Sequence, residues 1–174
     1  MATWTIDTAH SEIGFKVKHL VVSTASGKFT SFEGTIETTK DDFSDAKVTF
    51  SADIDSIHTG HEQRDGHLKS PDFFDAASYP KMTFVSTSVE KSGDDFKITG
   101  DLTIKGVTKS VVVNAEFGGI EKSLYGQTVA GFEVTAKINR QDYGLTWSAV
   151  TEAGGLVVAN DVKLVANIEV IKGE

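Results

Sequence analysis

No cysteine occurs among the 174 residues, which removes disulfide frameworks, thiolate metal sites and cysteine nucleophiles together. Proline is almost missing, with two in the chain, and no linker-like Pro/Ser run divides it. Bases are outnumbered, 17 Lys plus Arg against 25 Asp plus Glu, for a net charge of −8. That balance removes the simplest case for nucleic-acid or anionic-membrane binding, because both need a positive field. Lys16, Lys18, Lys28, Lys105 and Lys109 are scattered among polar residues, so no local basic stripe is expected. No apolar run approaches the roughly 20 residues of a membrane-spanning helix, and no integral membrane segment is expected. The opening Met1-Ala2-Thr3-Trp4-Thr5-Ile6-Asp7 lacks the basic and apolar regions of a signal peptide. This predicts a cytoplasmic protein as written, and a periplasmic or secreted one if the sequence is a mature form.

The remaining composition, 39% hydrophobic and 24% charged, is that of an ordinary globular protein, and the length suits one domain over residues 1–174. Its recurring signal is period-2 alternation in segments rich in Val, Ile, Thr and Phe, the mark of strands with one buried face. Ile13, Phe15 and Val17 alternate with charged residues over Glu12–His19. Phe32, Gly34 and Ile36 do so over Phe32–Thr38, and Val48, Phe50, Ala52 and Ile54 over Lys47–Ile54. In Met82–Val89 the parity is ambiguous, because Phe84 and Val85 compete for one face. Four further strands carry Phe96 to Ile104, Val111 to Phe117, Ala130 to Ile138 and Val162 to Val170. Eight antiparallel strands make a sandwich or a closed barrel, and closure removes aggregation-prone edges.

Two segments break the alternation. Thr59-Gly60-His61-Glu62 has capping-box spacing and predicts a short helix from Thr59 to about Lys69. Ser70-Pro71 reads as a second N-cap, ahead of a turn carrying Phe73 and Phe74. The other break, Asn139–Ala149, has Asn139 and Asp142 three apart, then Gly144 and an exposed-looking Leu145 and Trp147 pair. Inward positions mix large rings (Phe15, Phe32, Phe50, Phe132) with small groups (Gly34, Ala52, Gly100, Ala115, Ala130, Ala136, Ala166). The small groups either interdigitate with rings in a filled interior or leave an elongated apolar tunnel.

Several motifs in order resemble one family. They are Asp7-Thr8-Ala9-His10-Ser11, Ile13-Gly14-Phe15 and Val17-Lys18-His19, then Gly27-Lys28-Phe29 and Phe32-Glu33-Gly34. Ser56-Ile57-His58-Thr59, Arg64-Asp65-Gly66-His67-Leu68-Lys69-Ser70, Asp72-Phe73-Phe74-Asp75 and Tyr79-Pro80 follow. Gly100 to Lys109 and Asn139-Arg140-Gln141-Asp142-Tyr143-Gly144-Leu145 complete the series. Together they resemble the YceI-like polyisoprenoid-binding proteins over nearly the whole chain. The resemblance implies an all-β, eight-stranded antiparallel, lipocalin-like barrel with short helical insertions near residues 60–78 and 139–149. It also implies a homodimer and a bound long-chain lipid or isoprenoid, and it tips the choice toward a tunnel.

On that reading the ligand would meet Phe15, Val17, His19, Phe32, Phe50 and Ile54 in the first half of the chain, with Phe73 and Phe84. It would then meet Leu102, Ile104, Val113, Phe132, Ile138, Tyr143, Trp147 and Leu164. His19, His58, Arg140 and Asp142 are the candidates for a polar head. Neither a cofactor nor a metal is expected. His58, His61 and His67 with Glu62 and Asp65 lack the HExxH spacing of a zinc site. His10 beside Ser11, with Asp7 three before, has the composition of a triad, but neighbours on an extended strand face opposite ways. Structural roles are expected instead: Asp7 and His10 bonding loop amides, and Arg64 or Arg140 pairing with Asp65, Asp72 or Asp142. The expected function is therefore non-catalytic carriage or sequestration. The alternatives are a lipid-modifying enzyme with a histidine base and a filled, dimeric interaction module.

Overall fold

The computed structural model describes residues 1–19, 23–146 and 158–173. The strands are β1 (Ala2–Ile6), β2 (Glu12–His19), β3 (Ser23–Phe29), β4 (Phe32–Thr38), β5 (Lys47–Asp53), β6 (Ile57–His58), β7 (Lys81–Ser92), β8 (Asp95–Ile104), β9 (Val107–Lys122), β10 (Thr128–Asn139) and β11 (Val158–Lys172). One helix, α1, spans Glu62–Lys69. Sheet order is β1-β4-β5-β7-β8-β9-β10-β11, and β11 returns to β1, closing a ring of eight antiparallel strands. Beyond β1, β11 continues beside β2, which carries β3 and then β6.

The eleven segments amount to eight staves, as the alternation predicts. β1 and β2 follow one another along β11, from Trp4 opposite Lys172 to His19 opposite Val158. A 3₁₀ turn at Thr8–His10 interrupts them. β3 and β4 break at Thr30–Ser31, and β5 and β6 at a second 3₁₀ turn, Ile54–Ser56. The strand predicted to reach Ile54 therefore ends at Asp53.

A bulge between Ser86 and Ser88 settles the parity of β7. Met82 and Phe84 are buried before it, Val85 is 49% exposed, and Val89 returns to the interior after it. This is how one extra residue re-aims a strand.

Apolar packing gathers at the two ends of the barrel. One buried cluster holds Phe29, Ile54, Ile57, Phe73, Leu102, Ile104, Ile138, Tyr143 and Leu145, with Ala52, Met82 and Phe84. The other holds Trp4, Phe43, Phe96, Ala115, Ala130 and Val170. Leu145, read as exposed from sequence, is 5% exposed. Trp147 lies outside the described residues.

Phe43 had no place in the strand pattern, yet its ring is 2% exposed and closes the second cluster. It lies 5.1 Å from Trp4 and 5.3 Å from Phe132, centroid to centroid. Its φ of 63° is uncommon outside glycine. Asp45 holds this turn by accepting bonds from the Thr38 and Thr39 hydroxyls and the Thr39 amide. Those bonds keep the Asp45 carboxyl far below the usual carboxylate range.

The inward glycines do not clear space for a ligand. A Cβ on Gly100 would lie 2.5 Å from Phe84 Cζ and 2.7 Å from the Val85 carbonyl oxygen, and one on Gly34 2.6 Å from Ile6 Cδ1. Neighbouring side chains already fill both notches, so packing is the correct reading there. Gly100→Ala is expected to cost about 1–3 kcal/mol through overpacking, seen as a lower urea midpoint with unchanged slope.

Candidate ligand-binding cavity

Between the two clusters runs a cavity of about 190 Å³. β8 alone lines it from Phe96 to Leu102, about 20 Å along the strand at roughly 3.3 Å per residue. Small volume over that length gives a narrow bore, with the proportions of a single hydrocarbon chain. The filled-interior alternative therefore fails in the middle of the barrel. Inward Ile98, Val113, Val134, Leu164 and Ala166 are only half-buried, whereas Phe96 and Leu102 at the two ends are buried. Thr35 and Thr49 are the polar lining residues, and no titratable side chain lines the cavity among the described residues.

The sequence-predicted ligand residues divide into groups. Phe50, Phe84, Leu102, Val113, Phe132 and Leu164 line the cavity. Ile54, Phe73, Ile104, Ile138 and Tyr143 stand in the buried cluster at one end, with Phe15 and Phe32 packed against it. Val17 lines a groove of different character, described below. His19 closes β2 opposite Val158. Ile6, Phe29, Phe43, Ala46, Met82 and Val89 line the cavity without having been singled out. The inward series was the available signal for Met82 and Val89, while Ile6, Phe29, Phe43 and Ala46 lie in segments with no clear period.

The two insertions meet over the first cluster, where the Lys105 ammonium donates to the carbonyls of Pro71 (3.0 Å) and Gly144 (3.4 Å). α1 begins three residues later than predicted. Its N-cap is His61, whose Nδ1 accepts from the Arg64 amide at 3.3 Å. Thr59 instead donates both its amide and its hydroxyl to Asp65. Arg64 does not take the expected carboxylate; its guanidinium donates to the Thr59 hydroxyl and carbonyl, each at 2.8 Å. Ser70 is the C-cap of α1 rather than a second N-cap, and Ser70–Ser78 runs in turns. Asp65 lies 3.7 Å from His58 Nδ1, and His67 Nε2 lies 3.0 Å from Asp72.

In the second insertion Asn139 caps a 3₁₀ turn, Arg140–Tyr143, which Gly144 ends at φ 74°. Arg140 is 3% exposed. Its described bonds run to main-chain carbonyls, Leu145 at 2.6 Å, Ala159 at 2.9 Å and Val158 at 3.2 Å. It thus pins the turn to the start of β11. Asp142 is exposed. Burial, and then the Asp142 charge, push the Tyr143 phenol up to about 12.

Asp7 caps the first 3₁₀ turn through the Ala9 amide (3.0 Å), as expected. His10, however, bonds Asp7 (2.7 Å) rather than a loop amide. The His10 bond holds the Asp7 carboxyl below its ordinary value, and the Asp7 bond and charge, with Glu169, raise His10. Ser11 is committed to the main chain of Glu169, donating to its carbonyl and accepting from its amide. These residues therefore form a structural knot at the break between β1 and β2, with no nucleophile poised on a base.

On the outer face a groove brings together Lys16, Lys18, Lys137 and Lys163 with Asp161. Register sets Lys163 directly opposite both Lys16 and Lys137. This corrects the expectation of no basic stripe, since bases scattered along the sequence converge across β2, β11 and β10. Like charges directly opposite are destabilising, and the Lys137–Asp161 pair at 3.3 Å offsets part of that repulsion.

The YceI-like domain pattern matches residues 4–170. The UPF0312 protein SAS2572 of Staphylococcus aureus (strain MSSA476) is 42% identical over 170 residues, 97% of each chain. The crystal structure of the Campylobacter jejuni YCEI protein is similar at TM-score 0.76 and 36% identity, covering 97% of this chain and 96% of that one. A polyisoprenoid binding domain from Saccharophagus degradans shares the fold at TM-score 0.72 and 17% identity, with 98% of both chains covered. With its closed eight-stave barrel and its motifs in order, the chain belongs to the YceI-like domain family.

Proposed function

We propose that the protein is a non-catalytic carrier or sequestering protein that holds one long apolar chain inside its barrel. The chain would belong to a polyisoprenoid, an isoprenoid quinone or a fatty-acid derivative. The narrow hydrocarbon-lined cavity between the two clusters carries this reading. Each methylene moved from water into such a lining contributes about 0.8 kcal/mol, so chain length dominates affinity. The polyisoprenoid-binding domain that shares the fold supports the same ligand class.

The enzymatic alternative has less support. His10, His58 and His67 face carboxylates outside the cavity, and the lining carries no titratable group among the described residues. Solvent extraction of the purified protein followed by mass spectrometry tests the proposal. A co-purifying long-chain amphiphile is expected. Protein that arrives empty and takes up neither isoprenoid nor fatty amphiphiles would overturn it.

A further inference from the structure

Phe43 lines the cavity, is 2% exposed and comes from no strand of the barrel, lying instead in the turn between β4 and β5. Its ring centroid is 5.9 Å from that of Phe117 on β9 and 5.3 Å from that of Phe132 on β10. In the ring of eight staves β4 and β9 stand four apart, on opposite walls. The side chain therefore crosses the bore rather than covering one side of it. Phe96 and Phe117 pack on Phe132 in turn, at 6.2 and 5.3 Å, so aromatic rings close this end of the cavity. Phe43 holds its place at φ 63°, a left-handed conformation that is costly for a bulky residue. The β7 to β8 and β9 to β10 turns use glycine at similar angles, Gly93 at 62° and Gly126 at 79°, where the conformation carries no such cost. Asp45 ties the turn down by accepting from the Thr38 and Thr39 hydroxyls. Such strain persists only where the surroundings over-determine it, and what it secures here is a ring set across the bore.

We propose that the Phe43 ring is the stop against which the terminal methyl of the bound chain rests, and that it sets the longest hydrocarbon the barrel takes in full. This rests on the carrier reading and adds chain-length selectivity to it. Below the limit each further methylene leaves water for the lining and tightens binding about fourfold. Beyond it the added carbons find no space in the bore, and affinity stops rising. Close-packed rings do not yield a methylene at a time, so the limit is a break in slope at one chain length.

Delipidated protein is titrated with straight-chain primary alcohols from octanol to docosanol, read by displacement of a fluorescent fatty probe. Wild-type affinity is expected to rise about fourfold per carbon and then level at one length. Phe43→Gly suits the left-handed turn and is expected to move that break out by about three to five carbons, tightening the longest alcohols about 60-fold or more. Phe43→Leu, which keeps more of the packing and serves if the glycine variant does not fold, is expected to move it the same way by less. The readout is the position of the break, which a general loosening that weakens every alcohol equally leaves in place. A wild-type series without a break, or a break unmoved by either substitution, would overturn the assignment and leave the carrier intact. So would a break moved by Leu102→Ala, at the other end of the cavity, and not by the Phe43 variants. Wild-type protein that binds neither the probe nor any alcohol of the series would overturn both.

Discussion

Ala166→Phe is expected to lower the affinity for a long-chain amphiphile about a thousandfold while leaving the fold intact. Ala166 lines the cavity and is only half-buried, with Val134 and Ile13 beside it on the neighbouring strands. A phenyl ring there would occupy space otherwise open to about five methylenes. At about 0.8 kcal/mol each the loss is about 4 kcal/mol, or three decades in Kd. Ala130→Phe is the contrasting change, because Ala130 is 1% exposed within the cluster around Phe43. Overpacking there is expected to cost about 1–3 kcal/mol of stability. Titration of a fluorescent fatty probe, paired with thermal melting, checks both. A barrel that binds equally well with Ala166→Phe would show that the chain does not enter this cavity.

The largest loss of stability is expected from Arg140→Met, about 3–5 kcal/mol. The substitution keeps much of the apolar stem but removes every donor. The carbonyls of Leu145, Val158 and Ala159 then lose charge-assisted bonds. An unsatisfied buried acceptor costs about 1–3 kcal/mol, part of it recoverable as water enters. Burial already lowers the Arg140 pKa, a sign that the guanidinium is held there against a desolvation cost. Arg140→Lys is expected to recover little, since a single ammonium cannot reproduce a planar fork spread over three acceptors. Urea denaturation at constant slope measures both variants.

The readable parts of this fold were those in which local alternation alone decides the outcome. β2, β4, β5 and β8 to β11 carry apolar side chains on every second residue, and their faces follow directly. β3 reads Ser23-Thr24-Ala25-Ser26-Gly27-Lys28-Phe29, where the inward set is small and the contrast with the outward set nearly vanishes. β1 is short and ends at Ile6, and β6 has two residues, too few to show any period. The β7 bulge was hidden because parity changes at a residue that leaves no compositional mark. Gly100 fitted packing and open space equally well in the sequence because its filling, Phe84, comes from the adjacent strand. The lysine row was invisible for the same reason: Lys16, Lys137 and Lys163 meet only through register. For the site, the aromatic and aliphatic lining was legible as an inward series. Phe43 and Ala46 were not, because they reach the lining from a turn segment whose sequence has no period.

The closing contact between β1 and β11 also bears on the order in which the molecule forms. Trp4 pairs with Lys172, and the Gly173 amide donates to the Thr3 carbonyl at 2.7 Å. Most other strand pairs join neighbours in the chain, but this one joins residues 168 positions apart. Loop closure grows by about 0.6 kcal/mol per doubling of length, so the final stitch costs about 2 kcal/mol more in chain entropy than a hairpin. A growing chain cannot make it until the last strand has been synthesised. Until then β1 and β10 present bare edges, and the cavity has no continuous wall. Closure of the ring is thus a late event, and on the proposed carrier role the loading of a hydrocarbon chain follows or accompanies it.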